Sequence, residues 1–456
     1  MDRQEERDYY LNQLLGELFF EPWKKGEGDR KTLELQVTYD CNLNCKYCYV
    51  NRHGDDLYPR EIRGSDDILG NTKSLLNWVE REGLQIPKWE LFSGSLFSQE
   101  VGHKVVSLIY NKLKNTDKKK IRPDTIIIPS NMTFLMDKST TKRVERYIND
   151  FRDIGVRLHF SCSVEGKYME QNRPIKNTLT TGKSMGEHIF EPQERDDDYY
   201  HKLFKFAKRY NYGFHPMIYS DSIELWKKNF LWYQDMIEEY DMPHSRLFLL
   251  EVRNKEWSDK EIKEFREFVQ FVHNWVYQNI AQGLKDKFIN LIRDQKTINM
   301  VYSTIGSNRG DGMSCSIQKD LQVRLGDLHF GPCHRTSYKG FEFGKFKKDS
   351  GMITGIEALN TEMAMAIYGL DHETFPGCQT CMIRPICNKT CLGANLEDTG
   401  ELFSPNPNVC QLNFARVLGA LDFYTTHDMM GHIKAFANKR IAKTYKHLNE
   451  VSGGVE

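Results

Sequence analysis

Three cysteines, Cys41, Cys45 and Cys48, fall at the spacing C-x3-C-x2-C directly after the apolar, β-prone run from Leu33 to Tyr39. Three thiolates this close along a chain can grip one corner-rich metal cluster, but they cannot fill four corners. A [4Fe–4S] cube ordinarily takes four cysteines, so a cube on this loop keeps one iron open to an outside ligand. Cys-x2-Cys is also a zinc spacing. A zinc site, however, wants a fourth ligand close by, and a loop at the end of a strand suits the cluster better. A second constellation follows late in the chain: Cys315, Cys333, Cys378, Cys381, Cys387, Cys391 and Cys410. Seven cysteines are too many for one tetrahedral zinc. Cys162 stands apart among strand residues and reads as a small buried hydrophobe.

These residues need a framework to hold them, and 456 residues can build two or three domains with ample cores. Lys plus Arg equals Asp plus Glu at 63 each, so no net field draws the protein to nucleic acid or to an anionic membrane. The charged opening Met1-Asp-Arg-Gln-Glu-Glu-Arg7 is no signal segment, and no apolar run is long enough to cross a bilayer. The expected location is cytoplasmic. Eleven cysteines in such a chain argue for metal or redox chemistry rather than a disulfide framework.

Residues 1–30 carry a short apolar stripe at Leu11, Leu14, Leu15, Leu18, Phe19 and Phe20, too little chain for a fused leader-peptide-binding domain. From 31 to 255 strand-like runs alternate with amphipathic stretches, the pattern of βα units around a parallel sheet. The strands are expected at Leu33–Thr38, Trp89–Phe92, Thr125–Pro129, Arg157–Val164, Gly213–Tyr219 and Leu247–Val252. Residues 256–310 form a bridging helical segment, with one long amphipathic helix over about 256–290. The glycine-rich stretch Ser307–Gly312 marks a boundary. Past it, Leu321–Phe330 alternates about Gly326-Asp327 and reads as a β-hairpin within a cysteine-bearing domain over 311–415, ahead of a helical tail over 416–456.

The first motif resembles the signature of the radical S-adenosylmethionine (SAM) enzymes, C-x3-C-x-aromatic-C, with Tyr47 in the aromatic place. The resemblance implies an α/β fold, a partial (β/α)6 TIM-like barrel with ligands at the C-terminal strand ends. It also implies that the open iron binds the amino and carboxylate groups of SAM. Ser93-Gly94-Ser95-Leu96 stands where the family has Gly-Gly-Glu-Pro; the glycine survives, and Ser95 offers a neutral acceptor in place of the carboxylate. Asn131 falls in the family's Thr-Asn-Gly region, Ser163 would reach the ribose, and Arg173 falls where the family holds the SAM carboxylate. The run from Cys378 to Cys391, joined to Cys410, resembles the SPASM extension of these enzymes. By that resemblance Cys378, Cys381, Cys387 and Cys410 ligate an outer auxiliary [4Fe–4S] cluster, and Cys315, Cys333 and Cys391 an inner one. Six residues rather than four separate Gly326 from Cys333, a departure from the family's pattern.

Three cubes have twelve iron corners, against ten cysteines once Cys162 is set aside. One vacancy belongs to SAM and the other to the inner auxiliary cluster, where His334 or a substrate thiolate could bind; His334 is also a candidate base. The favoured expectation is a maturase that cross-links a ribosomally made precursor peptide through a thioether or carbon–carbon bond. Its partners would be that peptide, an electron donor such as flavodoxin or ferredoxin, and a separate leader-peptide-binding protein. An anaerobic sulfatase-maturing enzyme that forms formylglycine is the alternative. It is disfavoured because that family, by the same resemblance, has an acidic residue where His334 stands. A zinc-holding scaffold without activity is the reading from another class.

Overall fold

The structure, a computed structural model, describes residues 3–21, 32–52, 58, 65–117, 121, 123–176, 188–253, 255–305, 317, 320–370, 374–375, 377–381, 383, 387 and 391–432. Cys315 and the glycine-rich boundary at 307–312 lie outside these residues. The strands are, in chain order, β1 Thr32–Thr38, β2 Lys88–Ser93, β3 Thr125–Ser130, β4 Arg157–Cys162, β5 Gly213–Phe214, β6 Met217–Ile218, β7 Leu250–Glu251, β8 Asp320–Arg324, β9 His329–Gly331, β10 Gly344–Asp349 and β11 Met352–Ala358. The first four sit within a residue or two of their expected places. The fifth expected strand, Gly213–Tyr219, is split into β5 and β6 around Pro216, which has no N–H for a ladder. The sixth, expected over Leu247–Val252, is only β7.

The chain divides into two compact units, neither a single continuous stretch. The first comprises residues 1–163, 173–203 and 316–369. Its strands lie in the order β11-β10-β9-β8-β1-β2-β3-β4. β1 to β4 and β8 run parallel to their neighbours among themselves, while β8 to β11 form antiparallel pairs. The expected hairpin is present as β8 and β9, and β8 is joined to β1 in register from Thr32 opposite Asp320 to Gln36 opposite Arg324.

Side chains alternate across a strand, so the register fixes two unlike faces. Leu33, Leu35 and Val37 share one with Trp89, Leu91, Leu321 and Val323, all buried. Glu34 and Gln36 share the other with Glu90, Phe92, Gln322 and Arg324. A parallel sheet packed on both sides normally reads as continuous apolar runs; the charged face is the departure that positions a site. Elsewhere in this unit Phe20, Trp78, Phe330 and Phe346 form an aromatic cluster with edge-to-face contacts of 5.0 Å for Phe20–Trp78 and 4.8 Å for Trp78–Phe346.

The second unit comprises residues 164–172, 204–315 and 370–456. The long helix expected over about 256–290 is interrupted. Helix Asp259–Trp275, opened by a capping box of Ser258 and Glu261, runs into a π-helical turn at Val276–Ile280. The chain then breaks at Gln282 and Gly283, both at positive φ, and resumes as Lys285–Arg293. Helix Asp259–Trp275 packs on helix Pro407–Thr426 so closely that a Cβ on Gly419 would lie 2.4 Å from the Arg266 carbonyl oxygen. Arg266 grips Asp422 with two hydrogen bonds of 2.6 and 2.7 Å across that contact. Among the described residues no helix is long and apolar enough to cross a membrane.

Candidate iron-sulfur and SAM site

The three-cysteine loop leaves the end of β1 and is fastened on both sides. Gly94 N–H donates to Thr38 O and Ser95 N–H to Asp40 O, both at 2.9 Å; Asn44 N–H donates to Pro174 O at 2.8 Å. A Cβ on Gly94 would stand 2.2 Å from the Asp40 carbonyl oxygen, so only glycine lets the β2 end approach the loop this closely. Cys41, Cys45 and Cys48 are half-buried and free of disulfides. Burial above all, and then the nearby Cys48, raise the Cys41 thiol, against the Leu43 N–H that donates to its sulfur at 3.4 Å. Among the described residues no three Cys, His, Asp or Glu groups close on one point as a single ion would require; a cube asks only that each thiolate meet its own iron. A buried thiol whose ionisation is hindered, as at Cys41, is a donor that a cationic metal core would relieve, and the loop fits such a group.

The expected SAM contacts gather around this loop in the same unit. Asn131 Nδ2 donates to Asn42 Oδ1 at 2.9 Å and lies 3.8 Å from Cys41 Sγ and 3.5 Å from Ser95 Oγ. Thr133 donates through its backbone and its hydroxyl to Asn131 Oδ1, at 3.1 and 2.8 Å, and its hydroxyl accepts from Asn42 at 2.9 Å. Sequence reasoning misses Asn42 and Thr133; the one available signal is the place of Asn42 between two of the motif's cysteines. The Ser93 hydroxyl is buried with no hydrogen-bond partner among the described residues. Arg173 donates to the Tyr47 hydroxyl at 2.7 Å, stacks on that ring at 5.6 Å and donates to the Ser163 carbonyl at 2.9 Å. Tyr47, Ser163 and Arg173 are thus held together. Glu165, in the second unit, accepts from Met217 N–H at 2.9 Å.

Cys333 ends the β9 turn in the first unit, and His334 follows it on the polar sheet face. His334 donates to Glu34 twice, from its backbone N–H at 2.8 Å and from Nδ1 at 3.0 Å, and its ring stacks on Phe92 at 4.1 Å. Burial would lower the imidazole, but the Glu34 charge and hydrogen bond, with Glu90 beyond, raise it to about 9. At neutral pH the ring is therefore an imidazolium, and it must lose a proton before it can accept one or bind iron. Burial, then the Glu34 charge, pushes the neighbouring Glu90 carboxyl up to about 7. Sequence reasoning misses Glu34 and Glu90 as well, because each sits inside a strand pattern.

In the second unit Cys378, Cys381 and Cys387 lie on turns, with Cys381 N–H donating to Cys378 O at 3.2 Å and Cys387 N–H to Ile383 O at 2.8 Å. Cys410 sits in the first turn of helix Pro407–Thr426, which Asn406 caps by accepting from Asn408 N–H and Val409 N–H. Burial, and then the charges of Cys387, Cys378 and Cys381, push Cys410 up to about 11. Cys378, Cys381 and Cys387 thus lie within electrostatic reach of Cys410. Cys391 precedes helix Leu392–Thr399. Cys162 is fully buried on β4, where burial alone raises its thiol.

No family model matches the chain, and no curated protein matches it in sequence. Solved structures do match. Native anSMEcpe with bound AdoMet and Cp18Cys peptide aligns with a TM-score of 0.53 at 15% identity, over 87% of this chain and 99% of that one. A histidine-tagged form of anSMEcpe with bound AdoMet aligns with a TM-score of 0.54 at 14% identity, over 91% and 98%. The chain shares the α/β fold of these solved structures, and its three-cysteine loop stands at the end of a parallel strand of that fold.

Proposed function

We propose that this protein is a radical SAM maturase that takes a hydrogen atom from a ribosomally synthesised precursor peptide and closes an oxidative cross-link, a thioether or a carbon–carbon bond. The observation that carries the reading is the loop of three cysteines at the β1 end, ringed by Asn42, Asn131 and Ser95 and backed by Arg173. Cys41, Cys45 and Cys48 would hold a [4Fe–4S] cube, and Cys378, Cys381, Cys387 and Cys410 an auxiliary one. The cube, when bound and reduced, would supply one electron for reductive cleavage of SAM, and an auxiliary cluster would take up the electron left as the cross-link closes and a proton leaves. The chain's own groups then bind and orient. Arg173, planar and always charged, suits the SAM carboxylate. Gly94 and Ser95 bring backbone groups to the cysteine loop, and the polar sheet face offers hydrogen-bonding groups to a peptide. The protein's task is to hold reacting atoms close and to keep water and stray hydrogen donors away.

A peptide substrate fits the fold likeness to anSMEcpe, whose structure contains the Cp18Cys peptide. The formylglycine alternative, by the resemblance, has an acidic residue after Cys333, where this chain has His334; this favours cross-linking. A flavodoxin or ferredoxin is the proposed reductant, a separate protein the proposed leader-peptide receptor, and the cytoplasm the proposed location. The test is anaerobic reconstitution with iron and sulfide, followed by reduction with SAM. Bound iron and release of 5′-deoxyadenosine support the reading, and a zinc-only protein sinks it. With a precursor peptide, loss of two hydrogens by mass spectrometry marks the cross-link.

A further inference from the structure

Two carboxylates stand side by side on the polar face of the first unit's sheet. Glu34 of β1 and Glu90 of β2 are register partners; adjacent strands set such partners about 5 Å apart with their side chains on one side, where like charges repel. Glu34 is answered, because it is buried and accepts two hydrogen bonds from His334. Glu90 is not. It is half-buried, and among the described residues it makes no hydrogen bond or ion pair. Lys88, two residues earlier on the same face, makes none either. A second polar group on this face is also unmet. Gln36, which follows Glu34 on this side of β1, is fully buried and donates through Nε2 to Thr38 O at 2.7 Å, while its Oε1 has no hydrogen-bond partner among the described residues. Gln36 and Glu90 lie on a diagonal between neighbouring strands, about 8 Å apart along the backbone. A buried acceptor without a donor is costly. Both groups call for N–H donors, and the carboxylate calls for positive charge as well; a basic side chain brings both.

We propose that Glu90, with Gln36 beside it, seats a basic side chain of the precursor peptide, a lysine or an arginine, and so determines which peptides the protein takes. The selection is by charge. A neutral peptide leaves Glu90 uncompensated, and an acidic one brings a third carboxylate to the face.

The inference rests on the proposed peptide-modifying reading, and its test is binding rather than turnover. Reconstituted, unreduced holoenzyme is dialysed to equilibrium against radiolabelled blocked pentapeptides of glycine with lysine, norleucine or glutamate at the centre. Wild type is expected to bind the lysine peptide about tenfold more tightly than the norleucine peptide, and the glutamate peptide more weakly than either. In Glu90→Gln the lysine advantage should fall below about twofold; in Lys88→Gln, which removes a charge of opposite sign from the same face, it should persist. Because Glu90→Gln relieves a like-charge contact, its thermal midpoint should equal or exceed that of the wild type, whereas a carboxylate with a purely structural role would lower it on removal. Wild type without a lysine preference, a preference undiminished in Glu90→Gln, or a lowered midpoint in that variant overturns this inference alone. So does a norleucine peptide with a free amino terminus that binds as tightly as the lysine peptide, since the cation would then be the chain end. Wild-type protein that takes up no iron or sulfide overturns the proposed function and this inference with it.

Discussion

Glu34 accepts two hydrogen bonds from His334, and that pairing decides the character of the residue after Cys333. Because the folded pKa, about 9, lies above the ordinary 6.5, the pair's contribution to stability is fully present below about pH 6.5 and is lost as pH rises through about 9. Glu34→Gln removes the opposing charge, so burial acts on the ring unchecked. The expected outcome is a His334 titration, followed by NMR in histidine-labelled protein, that moves well below 9. The alkaline loss of stability should vanish with it, at a cost of about 1–2 kcal/mol at neutral pH. A His334 titration left near 9 in the variant would show that Glu34 is not its cause. His273 behaves oppositely. It is buried with Nδ1 donating to Val269 O at 2.7 Å and Nε2 without a hydrogen-bond partner among the described residues, and burial pulls it down to about 4. Stability is therefore present above about pH 6.5 and lost as pH falls toward 4, by about 3 kcal/mol. Denaturant midpoints measured between pH 7 and 4 should fall less steeply in His273→Gln than in the wild type.

At the level of elements, the cysteine loop depends on how closely the ends of β1 and β2 meet. Gly94→Ala would place a methyl 2.2 Å from a backbone carbonyl, which no side-chain rotation can relieve. The expected cost is about 1–3 kcal/mol, together with poor iron uptake at the first cluster, read from iron content and from SAM cleavage. Normal iron content and turnover in that variant would show that the close approach is dispensable. The parallel strands themselves are legible in the sequence. Leu33–Thr38, Trp89–Phe92, Thr125–Pro129 and Arg157–Val164 carry dense β-branched and aromatic residues between turn signals, and that local signal survives in the fold. The segment 213–252 is less legible. Pro216 and the need to pair with distant partners cut the expected strands to two residues each, which no window of sequence displays. Nor does the apolar stripe over 256–290 reveal the π-helical turn, since a stripe reports a face and not the hydrogen-bond ladder beneath it.

For the whole molecule, the cysteines about Cys41 and those about Cys410 should load independently, since the former lie in the first unit and Cys378, Cys381, Cys387 and Cys410 in the second. Cys410→Ala is expected to lower bound iron by about four per chain while SAM cleavage persists. Cys41→Ala should lose about the same iron and SAM cleavage with it. Equal loss of cleavage in both variants would instead tie the second set to the radical step itself.

What the sequence determined alone was chemical: cysteine spacing, an aromatic at position 47, and the alternation that yields strands, all read within a few residues of chain. What only the tertiary structure decided was company. Glu34 and His334 stand 300 residues apart in the chain, and they meet because β8 enters the sheet beside β1 in one register and no other. A one-residue slip would turn Glu34 to the apolar face. Nothing local encodes that register. It follows from burying Leu33, Leu35 and Leu321 together, a condition that only the closed fold imposes.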